Sequence, residues 1–487
     1  MNPFQLHVVL FSITAVVFAV VGFRAARLQA SAKDYFRNPS PWKNAISLTA
    51  SNLTLGTGLV YLISGAQQMG TLMLLAPWAL FAGYAVLGLL VERAAAAGLG
   101  QGKNLLADVN ERIAQATGKP CSFAKIISGT LSILLMALLA FEIFASAKVM
   151  TPLLLGSGEV RLEIILSTVL FAITLLYTIL GGMSAVLAVD FLQVPLILLF
   201  MPAFVWIGIF SGDGGSPVVA KLVEKTNVSS VVLLAMGGVV INAFAGQFFS
   251  LLNIGAVSQV EARERRTLSN RVGFLTALAL SLFVLVGICV EPSGDNTGWP
   301  ALMARFTAVA QSGGWGVAVS SIVVLGMTSI LLTTTDAVVF SAIMFWHDNV
   351  AGRDSTSAVA DKAGLHSIRK IGAIAFAGGF VLLGALNYFQ PDPFYFLLSL
   401  AGGISVLAPA IVLAFILAGD SRMARRFTPG VLRVFLGFLG LSCLGNAALV
   451  ILRSPWVATL TNVMFALSVS FAAFVWWESR NTKPVDD

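Results

Sequence analysis

Thirteen apolar stretches follow one another along the 487-residue chain, separated by short polar segments. About 20 apolar residues in a helix span the roughly 30 Å hydrocarbon core of a bilayer, where only helices or closed barrels satisfy every backbone hydrogen bond. The pattern therefore predicts an all-α integral membrane protein with about 13 transmembrane helices. The predicted spans are residues 5–23, 44–66, 71–92, 126–148, 163–182, 185–209, 229–253, 272–290, 318–346, 371–388, 393–418, 431–452 and 456–477.

The composition agrees with a bilayer as the surrounding solvent. Hydrophobic residues make up 57% of the chain and charged residues only 11%, less than half of the roughly 25% typical of soluble domains. The longest connections, near 93–125, 291–317 and 347–370, have room for short amphipathic helices but not for a further domain. The net charge of +7 would suggest nucleic acid in a soluble protein, but here the basic residues lie mostly in loops. We therefore expect membrane lipids, and no nucleic acid, as partners.

The basic residues also predict how the chain crosses the membrane. With the amino terminus outside, 24 of the 30 Lys and Arg residues fall on the cytoplasmic side, as the positive-inside rule requires. The first stretch is not expected to be a cleaved signal peptide, because Met1 to His7 contains no Lys or Arg. The pattern predicts a multi-pass cell-membrane protein with an outside amino terminus and a cytoplasmic carboxyl terminus.

The second span carries a polar interruption of the kind that lipid-spanning helices normally avoid. Its middle, from Ser47 to Gly58, contains five hydroxyl residues, one asparagine and two glycines. Unwinding there would point carbonyl oxygens into the helix bundle, where they can bind a hard cation such as sodium. Close packing of small residues between helices is the alternative.

The seventh span has a weaker counterpart in Gly237-Gly238, Asn242 and Ala245–Phe248. Two interrupted spans five helices apart are typical of a five-plus-five inverted repeat, in which each repeat begins with a broken helix. The pattern predicts a single transporter domain over residues 1–487. Its predicted parts are a peripheral helix at 5–23, repeat one at 44–209, repeat two at 229–418 and peripheral helices over 431–477.

Three passages resemble the sodium:solute symporter family, which includes sodium-coupled sugar, proline and sialic acid transporters. Asp34–Phe36 and Ser47–Asn52 are similar to the family's "DYF" loop and to the "SL-ASN" opening of its first core helix. Tyr177–Gln193 is similar to the "YT-LGG--AV---D--Q" passage, and Glu261–Arg263 to the "EAR" cytoplasmic loop. The resemblance covers essentially the whole chain and implies a LeuT-like fold.

The resemblance also implies a sodium site between the first and eighth core helices. In the family, two carbonyls of the unwound first helix meet one carbonyl and two adjacent hydroxyls of the eighth. Counting back from Phe345–His347, taken as the end of the eighth helix, gives the hydroxyl positions, with Ser320-Ser321 as a rival placement. The implied sodium ligands are Ala50, Leu53, Leu325, Thr328 and Ser329. Five neutral oxygens form a weak, exchangeable site for a monovalent ion, as a transporter requires.

Some family members have a second sodium site, which would combine Asp190 with hydroxyls one turn further along the eighth core helix. Those hydroxyl positions are Leu331 and Leu332 here, so we expect no second site. Asp190 is expected instead to line the cytoplasmic exit of the ion, with a salt-bridged helix end as the alternative.

Two further acids lie inside predicted spans, where a buried carboxylate must face a cavity, a partner or a proton. Glu142 stands about where the family often has a glutamine in its substrate pocket, which implies an amine-bearing or protonatable contact; a structural partner is the alternative. Asp336 lies seven residues after Ser329, on nearly the same helix face. It can pass sodium onward, accept a proton, or act as a hydrogen-bonded structural acid.

The other pocket positions of the family are matched only in part. The implied solute contacts besides Glu142 are Asn52, Thr54, Thr57 and Gln247, and Phe248 falls where sugar transporters place an inner-gate tyrosine. The polar residues that sugar transporters have on two other core helices are replaced by Leu75–Trp78 and Leu400–Gly403. A desolvated sugar needs its hydroxyls paired, so a small solute with one polar end and an apolar body is expected instead.

These features predict a sodium-coupled symporter that imports a small organic solute, amine-bearing or amphiphilic, by alternating access. Proton coupling through Glu142 and Asp336 is the mechanistic alternative. A membrane sensor is disfavoured because no signalling domain follows residue 480. An enzyme is disfavoured because no convergent set of His, Cys or metal ligands lies within the spans.

Overall fold

The computed structural model describes residues 2–27, 48–100, 105–118, 120–156, 158–211, 229–249, 262–290, 298–351, 362–451 and 456–481. Every regular element in these ranges is helical, as the hydropathy pattern predicts. Eleven helices of the described ranges are long and apolar enough to cross a membrane. The chain is therefore a multi-pass membrane protein.

We number the helices in chain order. They are α1 Pro3–Arg27, α2 Tyr61–Met69, α3 Leu75–Ala96, α4 Leu105–Thr117, α5 Phe123–Leu155, α6 Val160–Val205, α7 Ser230–Phe249, α8 Ala262–Cys289, α9 Trp299–Gln311, α10 Gly314–Phe345, α11 Lys362–Phe389, α12 Pro393–Ser405, α13 Ala408–Ala418, α14 Pro429–Ile451 and α15 Val457–Asn481. Three π-helical turns extend this set: Leu55–Val60 before α2, Trp206–Phe210 after α6 and Trp346–Val350 after α10. A four-residue helix, Ser421–Ala424, lies between α13 and α14.

All thirteen predicted spans contain helix, although only eleven long ones are counted. The second and third predicted spans share one apolar stretch, Gly58–Ala96, in which the 3-10 segment Gly70–Leu74 joins α2 to α3. The seventh is represented by a shorter apolar helix, Val232–Phe248. The short helices α4 and α9 lie in two of the long predicted connections.

Two glycines explain how α6 forms two spans. A straight helix of 46 residues would be about 69 Å long, more than twice the hydrocarbon thickness. The helix is broken at Gly182, whose φ of 50° and ψ of −152° favour glycine because a Cβ would clash there. A Cβ on the preceding Gly181 would lie 3.1 Å from the carbonyl oxygen of Gly22 in α1. Gly182 therefore makes the turn, and Gly181 allows α1 to approach.

The helices pack as two groups around the broken second span. The first group contains α2, α3, α7 and α8, flanked by α12, α14 and α15. The second contains α1, α5, α6, α10 and α11, with the largely buried α10 packed against α1, α5 and α6. The π turn Leu55–Val60 contacts helices of both groups. The boundaries of the two inverted repeats, 44–209 and 229–418, stay a prediction.

The interruption expected within Gly237–Phe248 is not present, because α7 is a continuous helix from Ser230 to Phe249. The small residues there serve packing. A Cβ on Gly237 would lie 3.1 Å from Nδ2 of Asn462, and one on Gly238 would lie 3.3 Å from Cβ of Ala458, both in α15. Residues 250–261, which follow α7, lie outside the described ranges.

Candidate functional site

The second span is broken where its sequence predicts. Residues 48–51 form one helical turn, residues 52–54 are not helical, and the π turn begins at Leu55. Thr54, directly before the π turn, has an extended backbone with φ of −111° and ψ of 154°. Ser, Thr and Asn side chains compete for backbone hydrogen bonds, and glycine disfavours helix, so this composition makes an uninterrupted helix unfavourable.

The two carbonyls implied as sodium ligands both lie at this break. The carbonyl of Ala50 accepts the backbone N–H of Leu53 at 3.0 Å. The carbonyl of Leu53 accepts the hydroxyl of Thr334, in α10, at 3.2 Å. Each carbonyl oxygen has two lone pairs, so one hydrogen bond still leaves room for a cation. The break is therefore joined to α10 of the second helix group through an oxygen-rich contact.

Asn52 holds the break to the first helix group. Its Nδ2 donates to the carbonyl of Leu48 at 2.5 Å and to the hydroxyl of Tyr84, in α3, at 2.7 Å. Tyr84 is fully buried and had not been singled out from the sequence. These bonds give Asn52 a positioning role, and its expected contact with the solute stays a prediction.

Glu142 of α5 lies against the other side of the break. Its Oε2 accepts the backbone N–H of Gly56 at 2.8 Å, and the side chain is only 2% exposed. Gly56 belongs to the first turn of the helix that begins at Leu55. The N-terminal end of a helix carries exposed N–H groups and partial positive charge, which stabilise a nearby carboxylate. A Cβ on Gly56 would lie 2.8 Å from the same Oε2, so a larger residue here would displace the carboxylate.

Lys148, the nearest basic residue in the sequence of α5, is engaged elsewhere. Its Nζ lies 3.6 Å from Oε2 of Glu163 in α6 and 5.1 Å from the ring centre of Phe144. The structure therefore assigns the ion pair of Lys148 to Glu163 rather than to Glu142.

The contact between α10 and the break lies beyond the expected hydroxyl pair, and Thr328 and Ser329 as sodium ligands stay a prediction. Thr328 and Ser329 are fully buried and donate to carbonyls of their own helix, at Val324 and Leu325. The hydroxyl that reaches Leu53 belongs to Thr334, five residues after Ser329. Five residues turn an α-helix by about 500°, which places Ser329 about 140° away from Thr334 around the axis. Thr334, and not the expected pair, is thus brought to the break.

The expected positions depend on where α10 ends. The expected positions were counted from Phe345–His347 as the end of the helix, but helical structure continues through the π turn to Val350, five residues beyond Phe345. The rival pair is also engaged elsewhere. Ser320 bonds to Nε2 of His7 in α1 at 3.0 Å, and Ser321 donates to its own helix.

Polar residues of α6 and α10 meet beside the break. The hydroxyl of Thr333 donates to Oε1 of Gln193 in α6. Asp190 and Asp336 lie three residues from Gln193 and Thr333 respectively, on the same helix faces, and both are buried. With the register moved by five residues, the positions considered for a second ion become Asp336 and Ala337 in place of Leu331 and Leu332. The expected absence of a second ion, which rests on Leu331 and Leu332, stays a prediction.

Of the other residues predicted to contact the solute or gate its path, Thr54, Gln247 and Phe248 are buried. Thr54 is 8% exposed, and the side chain of Thr57 lies outside the described residues. Gln247 donates to the carbonyl of Ala243 within α7 at 3.2 Å. Phe248 packs against Phe244 with 5.4 Å between ring centres. Their contact with solute stays a prediction.

Aromatic residues of α12 cover this region and were not found from the sequence. Phe394 stacks on Tyr61 with 4.9 Å between ring centres, and Phe396 stacks on Phe141 with 5.4 Å. Phe141 directly precedes Glu142. The hydroxyl of Tyr61 is buried and has no hydrogen-bond partner among the described residues. The surroundings of Glu142 thus combine one carboxylate with aromatic side chains.

Comparisons with known proteins identify the fold. No protein-family model matches the chain, and no curated protein matches it in sequence. A Na⁺-coupled sialic acid symporter, solved in a substrate-bound outward-open state, is similar with a TM-score of 0.68 and 13% identity, over 98% of each chain.

A second solved structure is a nucleobase-cation-symport-1 family transporter in a closed conformation with bromovinylhydantoin bound. It is similar with a TM-score of 0.52 and 12% identity, over 90% of this chain and 93% of the other. Both neighbours are transporters rather than enzymes, and both have the LeuT fold. At this level of identity the likeness shows the architecture alone. The chain is therefore an all-helical membrane protein with the LeuT-like fold.

Proposed function

We propose that the protein is a secondary active symporter that uses a sodium gradient to import a small organic solute by alternating access. The observation that carries the proposal is the broken second span, which bonds to both helices of the second group that face it. Thr334 reaches the carbonyl of Leu53, and Glu142 reaches the N–H of Gly56. Ligands bound at such a break contact both helix groups and so favour one arrangement of the groups over another.

The proposed sodium site uses the contact between α10 and the break. Its ligands are the carbonyls of Ala50, Leu53 and Ile330 and the hydroxyls of Thr333 and Thr334. The hydrogen bond from Thr334 to Leu53 supports this set, because it brings oxygens of the two helices within 3.2 Å. Carbonyl and hydroxyl oxygens suit a hard cation, and the absence of a carboxylate from the set keeps binding weak enough for release.

Asp190 and Asp336 are proposed to attract the ion as it leaves the site. Both side chains are buried. They lie one helical turn from Gln193 and from Thr333, which are joined by a hydrogen bond, and Thr333 is itself a proposed sodium ligand. Buried acids in membrane spans typically mark an ion or proton pathway. Sodium would hold the two helix groups together in the outward-open form, and its loss toward these acids would release the solute inside.

The proposed solute carries an amine and an apolar body. A helix N-terminus at a break is a natural binding site for a carboxylate, but here Glu142 already supplies one to Gly56. A second carboxylate would be repelled, whereas a cationic group would be attracted. The stacked rings of Phe141 with Phe396 and of Tyr61 with Phe394 provide apolar surface nearby.

The proposed location is the cell membrane, with the amino terminus outside and the carboxyl terminus in the cytoplasm. The distribution of 24 of the 30 Lys and Arg residues on one side supports this orientation. Import then means movement from the side of the amino terminus to the side of the carboxyl terminus.

Uptake into proteoliposomes tests the proposal. Radiolabelled amines, amino acids and carboxylates are each offered with an inward sodium gradient, with an inward proton gradient, or with neither. We expect at least one amine-bearing solute to accumulate only with the sodium gradient. Accumulation driven by the proton gradient alone would instead support coupling through Glu142 or Asp336. If no gradient drives uptake of any solute, the symporter proposal is wrong.

A further inference from the structure

A cavity lined by three arginines lies between α1 and α11, away from the broken span. It has a volume of about 540 Å³. Arg24 and Arg27 come from the last two turns of α1, and Arg369 from the early part of α11. All three side chains are exposed, and none forms an ion pair with an acidic residue that the structure describes. Three guanidinium groups around one opening repel each other unless an anion lies between them.

The rest of the lining is apolar. Val20 and Phe23 of α1 are partly exposed, and Leu180 of α6 completes this wall. Val20, Phe23, Arg24 and Arg27 follow one another at spacings of three, one and three residues, so they lie on one side of α1. One end of the cavity is therefore cationic, and its wall along the helix is apolar.

Close helix contacts fix the shape of the cavity. A Cβ on Gly181 of α6 would lie 3.4 Å from Cβ of Ala26 in α1. A Cβ on Gly372 of α11 would lie 2.8 Å from Cγ2 of Ile179 in α6. Gly181 and Ile179 are the two neighbours of Leu180 in the sequence. Helices α1 and α11 are therefore both packed closely against α6 beside the opening.

The residues that line the cavity lie near the ends of apolar, membrane-spanning helices. The arginines of α1 follow its apolar stretch, Leu180 precedes the break at Gly182, and Arg369 lies near the start of the span Leu365–Phe389. Helix ends of this kind place basic side chains among lipid head groups and apolar side chains among acyl chains. The ligand that fits has an anionic group attached to a hydrocarbon tail.

We propose that this cavity binds the phosphate of an anionic phospholipid, with the acyl chains along Val20, Phe23 and Leu180. Arginine forms paired hydrogen bonds to phosphate oxygens, and three of them around one phosphate give strong charge complementarity. The bound lipid connects the peripheral helix α1 to α11. Free phosphate offers the same anion but leaves the apolar wall exposed, so a lipid is the expected source. The site is independent of the proposed transport function.

Native mass spectrometry of the full chain in detergent tests the site. The probes are dioleoyl phosphatidylglycerol, dioleoyl phosphatidylcholine, glycerol 3-phosphate and inorganic phosphate, each titrated separately. Each basic residue near a membrane surface contributes about 1 kcal/mol to binding of anionic lipid, so the three arginines together correspond to a roughly 100-fold effect. We expect one phosphatidylglycerol to bind with at least about tenfold preference over phosphatidylcholine.

A matched pair of variants makes the test specific. The triple variant Arg24→Gln, Arg27→Gln and Arg369→Gln is expected to lose the preference for phosphatidylglycerol. The control Arg93→Gln, Arg271→Gln and Arg433→Gln removes the same charge from exposed arginines elsewhere and is expected to keep it. Equal loss in both variants, or no loss in the first, overturns the proposal. If glycerol 3-phosphate or inorganic phosphate binds as tightly as the lipid, the site is one for a free anion and the lipid assignment is wrong.

Discussion

At the scale of single residues, the pair formed by Glu142 and Gly56 sets the chemistry of the candidate solute site. The carboxylate accepts the N–H at the start of a helix, where the helix end itself provides positive charge. The N–H of Gly56 is therefore already bonded to a carboxylate of the protein itself, and it is not free to bind a carboxylate of the solute. In the proposed solute site, this arrangement would disfavour solutes that bind through a carboxylate.

Glu142→Gln separates charge from hydrogen bonding. The amide oxygen of glutamine can still accept the N–H of Gly56, so the fold should be kept while the negative charge is lost. For an amine-bearing solute we expect the half-saturating concentration in uptake assays to rise about tenfold or more, since a charge-assisted hydrogen bond contributes about 1.5–3 kcal/mol. Glu159→Gln, at an exposed residue, should leave uptake unchanged. An unaltered half-saturating concentration in Glu142→Gln would make the carboxylate purely structural.

Gly56→Ala tests the same contact by adding a methyl group next to the carboxylate of Glu142. Its new Cβ would lie 2.8 Å from Oε2 of Glu142 and 3.1 Å from Cβ of Ala145, so Glu142 must move. We expect a loss of about 1–3 kcal/mol in unfolding free energy, typical of overpacking, together with weaker uptake. Gly129→Ala, whose nearest contact is 3.6 Å, serves as the control. Equal thermal stability of the two variants would argue against a close contact at Gly56.

At the scale of elements, breaks in helices decide how the chain is arranged. The break at residues 52–54 and the turn at Gly182 both occur where the sequence concentrates glycine or hydroxyl residues. The Gly181-Gly182 pair belongs to the Tyr177–Gln193 passage, which resembles the symporter family. The two glycines have different roles. Gly182 forms the turn, and Gly181 allows α1 to pack closely against α6.

Gly182→Ala should destabilise the turn between the two halves of α6. A residue with a Cβ is strained at φ of 50° and ψ of −152°, at a typical free-energy cost of about 1–3 kcal/mol. We expect a lower thermal unfolding temperature than in the wild type. Gly384→Ala, at a glycine of α11 with no neighbour within 4 Å of a new Cβ, should be close to neutral. A Gly182→Ala protein as stable as Gly384→Ala would contradict this account of the turn.

Hydropathy and residue type were sufficient to predict the spans and the break, but not which residue of α10 contacts the break. Length and apolarity determine which segments enter the membrane, and the run from Ser47 to Gly58 is too poor in helix formers to stay helical. In α10, hydroxyl residues occur on several faces of a helix that is buried nearly all round, so no amphipathic pattern marks the face toward the break. Among the described residues, the hydrogen bond from Thr334 to the carbonyl of Leu53 identifies that face.

The contacts in and around the break show the same limit of sequence-based prediction. Tyr84, Gln193 and Phe394 come from three different helices, and nothing in the local sequence of any of them indicates its neighbour. Their roles depend on tertiary packing. In α7 the sequence misled in the opposite direction. Its glycines within Gly237–Phe248 suggested a break, but the helix is continuous and these glycines allow close packing against α15.

At the scale of the whole molecule, two groups of helices meet at one broken segment. Asn52 bonds to the first group, and Leu53 and Gly56 bond to the second. A cation bound between the break and α10 would stabilise one relative position of the groups, and this differential binding is what couples an ion gradient to alternating access. The central claim is therefore that sodium binds where Thr334 meets Leu53.

Sodium-dependent thermal stabilisation tests this claim directly, and it needs no knowledge of the solute. The purified protein is titrated with sodium, potassium or choline chloride at constant ionic strength. A specific ligand at ten times its Kd adds about 1.4 kcal/mol to the stability. We expect sodium alone to raise the unfolding temperature. The half-stabilising concentration should increase about tenfold or more in Thr333→Ala with Thr334→Ala and stay unchanged in Thr328→Ala with Ser329→Ala. Stabilisation that does not distinguish sodium from potassium, or that is lost in the second pair instead of the first, would contradict the proposed site.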